Sequence, residues 1–388
     1  MENLIKIVTL MPIIWLSGLI YAYGQDEYQS IIVEDSTKAS GLIPDSHLYI
    51  PDSNTPVKYI RVNFHFMLKS PGDPAYPGNF TPVDDGHGNT SYTGYDYARE
   101  YIDIANQRLA SNSQMSMPPG NQTPVLETKY RYVLDAVYFH EDNSHYCRSF
   151  DLESTFSAYK ENGGRVINVF QFCGNGGSTG WARMTGQRYV FSQGRWNRYS
   201  AFLSNPGIGD GMWANAKHLN HETGHNLSLL HTMMTNTGGC RDDWNDYCPD
   251  TPTRGEIIQG FGFDPCCFWS NYDVQTCSNN LMDYGQGHAL TPHQLGRVHW
   301  TLEHEMKAYQ TCYLDVNQLN ICSIGYPQIV YLGRKITFGG GSCGWQPVVL
   351  ENKEVAHLIA SEEVILNPGF EVKLGAEFTI EMVTPCNN

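Results

Sequence analysis

His221-Glu222-Thr223-Gly224-His225-Asn226-Leu227-Ser228-Leu229-Leu230-His231 is the stretch from which the rest of the chain is read. On a helix, His221 and His225 stand four residues apart and project from one face, where two imidazoles can hold one metal ion. Glu222 follows the first of them, within reach of a metal-bound water. His231 comes six residues after His225. A continuing helix would rotate it away, so the helix is expected to end near Ser228 and the chain to turn back. That supplies a third nitrogen and leaves a fourth position open, the arrangement of a catalytic rather than a structural zinc. Ala216 and Leu219 offer apolar contacts for the back of this helix.

Other histidines compete for the same reading. His218 lies three residues before His221 and could share its face, but no Glu follows it. Ligation by both His218 and His225 would span seven residues of one helix, about 10 Å at about 1.5 Å per residue, too far for one ion. His218 is therefore expected to be structural or to lie behind the ligands. His288, His293, His299 and His304 read as ordinary surface or helix residues.

Working outward, Val57 to Phe66 alternates with period two and reads as a strand. Tyr97, Tyr101, Ile104, Ala105 and Leu109 fall at helical spacing and predict an amphipathic helix over 97–109. Residues 130–139 and 165–172 read as further strands, and Tyr189-Val190-Phe191 as a short one at a sheet edge. After about Cys312 no helix pattern remains, and short β-like runs at 327–332, 335–338 and 363–366 alternate with turns. The expected organisation is a segment 1–24 with signal-peptide character and an N-terminal extension or pro-segment over 25–55. A main domain over 56–311 and a β-rich module over 312–388 follow.

A second motif, Asn280-Leu281-Met282-Asp283-Tyr284, lies downstream. The pattern His-Glu-x-x-His-x-x-x-x-x-His followed by a tight turn with Met resembles the metzincin metalloproteases. The finer resemblance is to the pappalysin-like (cytophagalysin) family. It is carried by His231-Thr232, Gly238-Gly239-Cys240, Asp250-Thr251-Pro252 and the Asn280–Tyr284 turn, and spans roughly residues 57 to 311. Ser228 departs from it, standing where the family has Gly at a turn that calls for positive φ, at a cost of roughly 1 kcal/mol.

The resemblance implies an α+β fold: a twisted mixed sheet, two long helices above a cleft and an irregular, disulfide-rich lower part. It implies zinc on His221, His225 and His231, and Glu222 as general base toward a zinc-activated water that attacks a peptide carbonyl. Met282 is the apolar floor beneath the histidines. Tyr284 either donates to the oxyanion or is a packed aromatic. Asp242, Asp243, Asp246 and Asp250 fall in the region that binds calcium in such enzymes, or form a solvated acidic loop. Residues 365–378 resemble a β module found at the C-termini of secreted Bacteroidetes proteins, which points to sorting or surface-attachment machinery as a partner; the alternative is a β appendage packed on the enzyme.

Composition bounds the rest. The 388 residues carry 25 Lys+Arg against 40 Asp+Glu, a formal charge of −15, which argues against a non-specific grip on nucleic acid or an anionic membrane. Lys6, the apolar run Ile7–Ile20 and Ala22-Tyr23-Gly24 favour a cleaved signal peptide over an anchor, hence a secreted or surface-attached protein. Ten of the 11 cysteines fall between Cys173 and Cys386, which in an exported chain favours disulfides, most densely from Cys240 to Cys277. No cysteine lies between Gln25 and Tyr146 to block a metal from the N-terminal extension. Two rival functions remain at this level. One is a surface binding or adhesion protein with a non-catalytic zinc site, against which Glu222 speaks. The other is a zinc hydrolase of non-peptide substrates, which the methionine turn disfavours.

Overall fold

The computed structural model describes residues 31–32, 43, 45–69, 80–85, 88–146, 152–172, 180–182, 189–193, 211–232, 241–265, 278–283, 287–311, 318–321, 330–339, 347–350 and 355–382. The expected signal segment, Gly238–Cys240, Tyr284 and every cysteine but Cys248 lie outside these residues.

The core is built on β2 (Lys58–Leu68) and α1 (Gly94–Ala110). Helix α1 starts three residues before the expected point. Thr93 caps it, accepting from the Asp96 amide while the Asp96 carboxylate returns to the Thr93 amide. Its buried stripe of Tyr97, Tyr101, Ile102, Ala105 and Leu109 lies against β2, with Phe64 and Tyr101 edge to face at 5.3 Å. The alternation along β2 separates two faces, and the structure covers both. Asn63 and His65, on the face away from α1, are fully buried as well.

The sheet explains why. Its order is β1 (Ile31–Ile32), β5 (Gly180–Ala182), β6 (Tyr189–Gln193), β4 (Ile167–Phe172), β2, β3 (Tyr130–Glu141). All pairings are parallel except β5 with β6, so the sheet is mixed, as expected. A central strand of a mostly parallel sheet is covered on both faces. The polar residues of β2 are accordingly satisfied: His65 Nε2–H donates to Asn168 Oδ1 at 2.8 Å, and His65 Nδ1 accepts from His140 at 2.9 Å. The tautomer follows because Asn168 Oδ1 also accepts from the Glu161 amide at 3.0 Å, which fixes it as the acceptor. Strand β6 is not an edge strand: β5 covers its outer side, and β1 covers β5.

Helix α2 (Leu152–Tyr159) precedes β4, and α3 (Gly211–Asn226) follows β6. Helix α3 carries the two-histidine motif. It lies on α1, where Asn220 donates to the Ala105 carbonyl at 3.0 Å, and Leu219 and Ala216 complete the apolar seam. Tyr132 of β3 meets Thr223 hydroxyl to hydroxyl. Two short helices follow, α4 (Arg254–Phe261) and α5 (Pro292–His304). The latter begins with Thr291 as cap, Pro292 in the first turn and Gln294 closing the capping box.

Beyond residue 317 the described chain forms β7 (Gln318–Ile321), β8 (Val330–Phe338), β9 (Val349–Leu350), β10 (Val355–Leu366), β11 (Glu371–Val372) and β12 (Glu377–Met382). The runs read separately at 327–332 and 335–338 are joined in the one strand β8. Strands β7, β8, β10 and β12 form one parallel sheet, and β9 and β11 a second. The chain thus alternates between two stacked parallel ladders, a coil-like arrangement around its own apolar cluster of Ile336, Phe338, Leu350, Leu358 and Ala360.

Candidate metal centre

The end of α3 shapes the site. The Leu229 amide donates to the Gly224 carbonyl at 2.9 Å and the Ser228 amide to the His225 carbonyl at 3.0 Å. These two bonds close the helix with a left-handed residue, and Ser228 fills it at φ 67°. The expectation of positive φ without glycine at Ser228 therefore holds, and the turn carries His231 back over the helix face.

His221, His225 and His231 are all buried, and their ligand atoms lie within 4.8 Å of one another. His221 Nε2 and His225 Nε2 each stand 3.2 Å from His231 Nε2. The opposite ring nitrogens settle the tautomers. His221 Nδ1 faces the Leu281 carbonyl and His225 Nδ1 the Leu229 carbonyl, each at 2.8 Å. A carbonyl only accepts, so both Nδ1 atoms carry the proton and both Nε2 lone pairs point inward. Burial and the neighbouring imidazoles hold His221 well below its ordinary pKa, and burial lowers His225 to about 4. Neutral imidazoles with converging lone pairs are the donor set of a divalent transition metal such as zinc, and carbonyl acceptors behind them are how ligating histidines are usually oriented.

Glu222 is buried next to the triad, and its Oε2 has no hydrogen-bond partner. Burial pushes its carboxyl up to about 8, against the pull of the Lys217 ammonium. A cation held by the histidines would draw it back down, into the range a general base needs near neutral pH. Lys217 is itself buried, one turn before His221, and burial lowers it to about 8.

Met282 is fully buried beneath the helix, and its sulfur lies 2.6 Å from where a Cβ on Gly224 would stand. A larger residue at 224 would force the Met282 side chain to shift. The turn is tied to α3 through His221 and Leu281, and through Lys217 Nζ, 3.4 Å from the Asp283 carbonyl. The Trp244 indole donates to the His231 carbonyl at 2.7 Å. Sequence reasoning missed Lys217 and Trp244. The spacing of Lys217 one turn before His221 was the only available signal for it; Trp244 had none.

The four aspartates offered for calcium are not brought together. Asp243 pairs with Arg241 at 2.8 Å, and Asp242 with Arg254. Asp246 is buried and accepts from the Cys248 amide and the Thr251 hydroxyl; burial raises its pKa to about 7. Asp250 accepts from the Thr291 hydroxyl at 2.7 Å and from the His293 amide at 2.9 Å, holding the start of α5. Among the described residues the histidine triad is the only group of three or more such side chains placed to hold a metal. His218 lies outside that group. His293 bonds Asp250, His299 is buried and donates to the Thr128 carbonyl at 2.8 Å, and His304 stacks on Trp300. Cys248 is buried and free among the described residues.

No family model and no curated protein matches the chain. Among solved structures, a mutant of promirolysin from Tannerella forsythia is similar to it at 13% identity and a TM-score of 0.42, over 68% of this chain and 86% of that one. No helix among the described residues is long and apolar enough to cross a membrane.

Proposed function

We propose that the chain is a zinc-dependent endopeptidase of the pappalysin-like metzincin kind, acting outside the cell on protein or peptide substrates. The observation that carries the reading is the convergence of three histidine Nε2 atoms beside a buried Glu222 carboxyl with an unpartnered oxygen. A purely structural zinc has no use for a base at that place, which favours turnover over an adhesive role. His221, His225 and His231 would hold the metal. When bound, it would supply Lewis-acid chemistry: a lowered pKa for a coordinated water and charge stabilisation at a carbonyl oxygen.

The chain's own residues do the rest. The Leu281 and Leu229 carbonyls keep the first two imidazoles in the ligating tautomer. Glu222 takes a proton at its unpartnered Oε2 and returns it to the leaving amine. The Met282 side chain closes the site from below and keeps water out. Tyr284 as an oxyanion donor belongs to this proposal on the strength of the motif, as do export by residues 1–24 and attachment or sorting through the C-terminal β strands. Cleavage of a mixed peptide library, read by mass spectrometry, tests it. Cleavage is expected to stop with a chelator and return with zinc; cleavage indifferent to the chelator contradicts it.

A further inference from the structure

We propose that Arg297 is a positioning residue of the metal centre: from α5 it grips the strained turn that delivers the third histidine. The inference rests on the zinc reading above. Arg297 is buried, and its Nε and Nη2 both donate to the Ser228 carbonyl, at 3.1 and 2.7 Å. That carbonyl belongs to the residue at φ 67°, where an L side chain resists the conformation that glycine takes freely. A two-pronged cationic donor on that oxygen favours the left-handed turn over its relaxed alternatives. His231 is three residues further on, so the rotation at Ser228 sets where its ring arrives.

Helix α5 makes a second grip on the same face, three residues earlier. Gln294 exchanges hydrogen bonds with the Asn280 amide group, at 2.8 and 3.2 Å. Asn280 Oδ1 in turn accepts from the Met282 amide at 2.9 Å. One helix thus holds both the turn before His231 and the methionine turn beneath the ligands. Asp246 joins the brace from the acidic loop, accepting from Gln294 Nε2 at 3.3 Å.

Zinc affinity, measured by competition with a chromophoric chelator, and the visible spectrum of the cobalt-substituted protein test the role. Arg297→Lys keeps a cation but loses the two-pronged grip. It is expected to weaken zinc binding by about 10–100-fold, the range for groups that orient ligands, and to alter the cobalt spectrum. Ser228→Gly added to it restores affinity, because glycine holds the turn unaided. A folded Arg297→Lys protein with the parent's affinity and spectrum overturns the inference while leaving the zinc reading intact. A parent chain that binds no metal overturns both. If Arg297→Lys does not fold, the double variant decides: a folded double variant with near-parental zinc binding supports the role, and one that stays unfolded refutes it.

Discussion

The histidine triad and the acidic loop are both clusters of metal-ligating side chains, and they come out differently. At the triad, protein acceptors occupy the outer nitrogens of His221 and His225, so their inner lone pairs are turned toward His231. In the loop, Asp242 and Asp243 pair with arginines, Asp246 takes an amide and a hydroxyl, and Asp250 holds the start of α5. Sequence density is the same kind of signal in both places. What separates them is whether the protein's own donors already use the ligand atoms.

Replacement of single residues sharpens that contrast. His231→Ala is expected to remove bound zinc, since two ligands from one helix face leave the ion half held, whereas His218→Ala keeps it. Metal content of the purified proteins checks this, and zinc lost from the second variant alone would reverse the ligand assignment.

Buried imidazoles outside the triad, His65 of β2 and His299 of α5, provide the control. Burial and the neighbouring His140 lower His65 to about 3, and burial lowers His299 to about 4. Both lie below the unfolded value, so the unfolded chain binds more protons under about pH 6.5. Their contribution is whole above that pH and is lost as pH falls toward about 4 and below, at up to ~1.4 kcal/mol per pH unit for each. Denaturant midpoints at pH 7 and pH 5 should show a clear fall, shallower in His65→Gln; equal midpoints in the wild type would contradict the burial argument.

The smallest expected effect lies in the loop. Asp250→Ala strips the acceptor from the Thr291 hydroxyl and the His293 amide, which should cost about 1–3 kcal/mol. Calcium should neither stabilise the wild type nor rescue this variant in thermal melts. A calcium-dependent rise in melting temperature would show that the loop carboxylates can still be recruited.

How much of this was legible in the sequence depends on range. The two-histidine face, the helix end and the positive φ at Ser228 are local, fixed by residues within a few positions of one another, and the structure agrees with each. The strand pattern was right about where β2, β3 and β4 lie but silent about exposure. Period-two alternation marks two faces without saying whether a second layer covers the polar one, and here Asn168 and His140 meet His65 there. The position of β6 failed for the same reason: a three-residue apolar run does not reveal that β1 and β5 lie outside it. Arg297, 69 positions from Ser228, and Trp244 could not be read at all. Their partners are backbone carbonyls, which leave no mark on the sequence.

The proposed peptide hydrolysis by this chain depends on Glu222 as the proton carrier, and Glu222→Ala tests that role most directly. Bound zinc and peptide hydrolysis are measured on the same preparation. Zinc at the wild-type level with hydrolysis lower by about 10²–10⁴-fold is the predicted result, because the variant loses the proton carrier and none of the ligands. Near-wild-type hydrolysis by the zinc-loaded variant would contradict it.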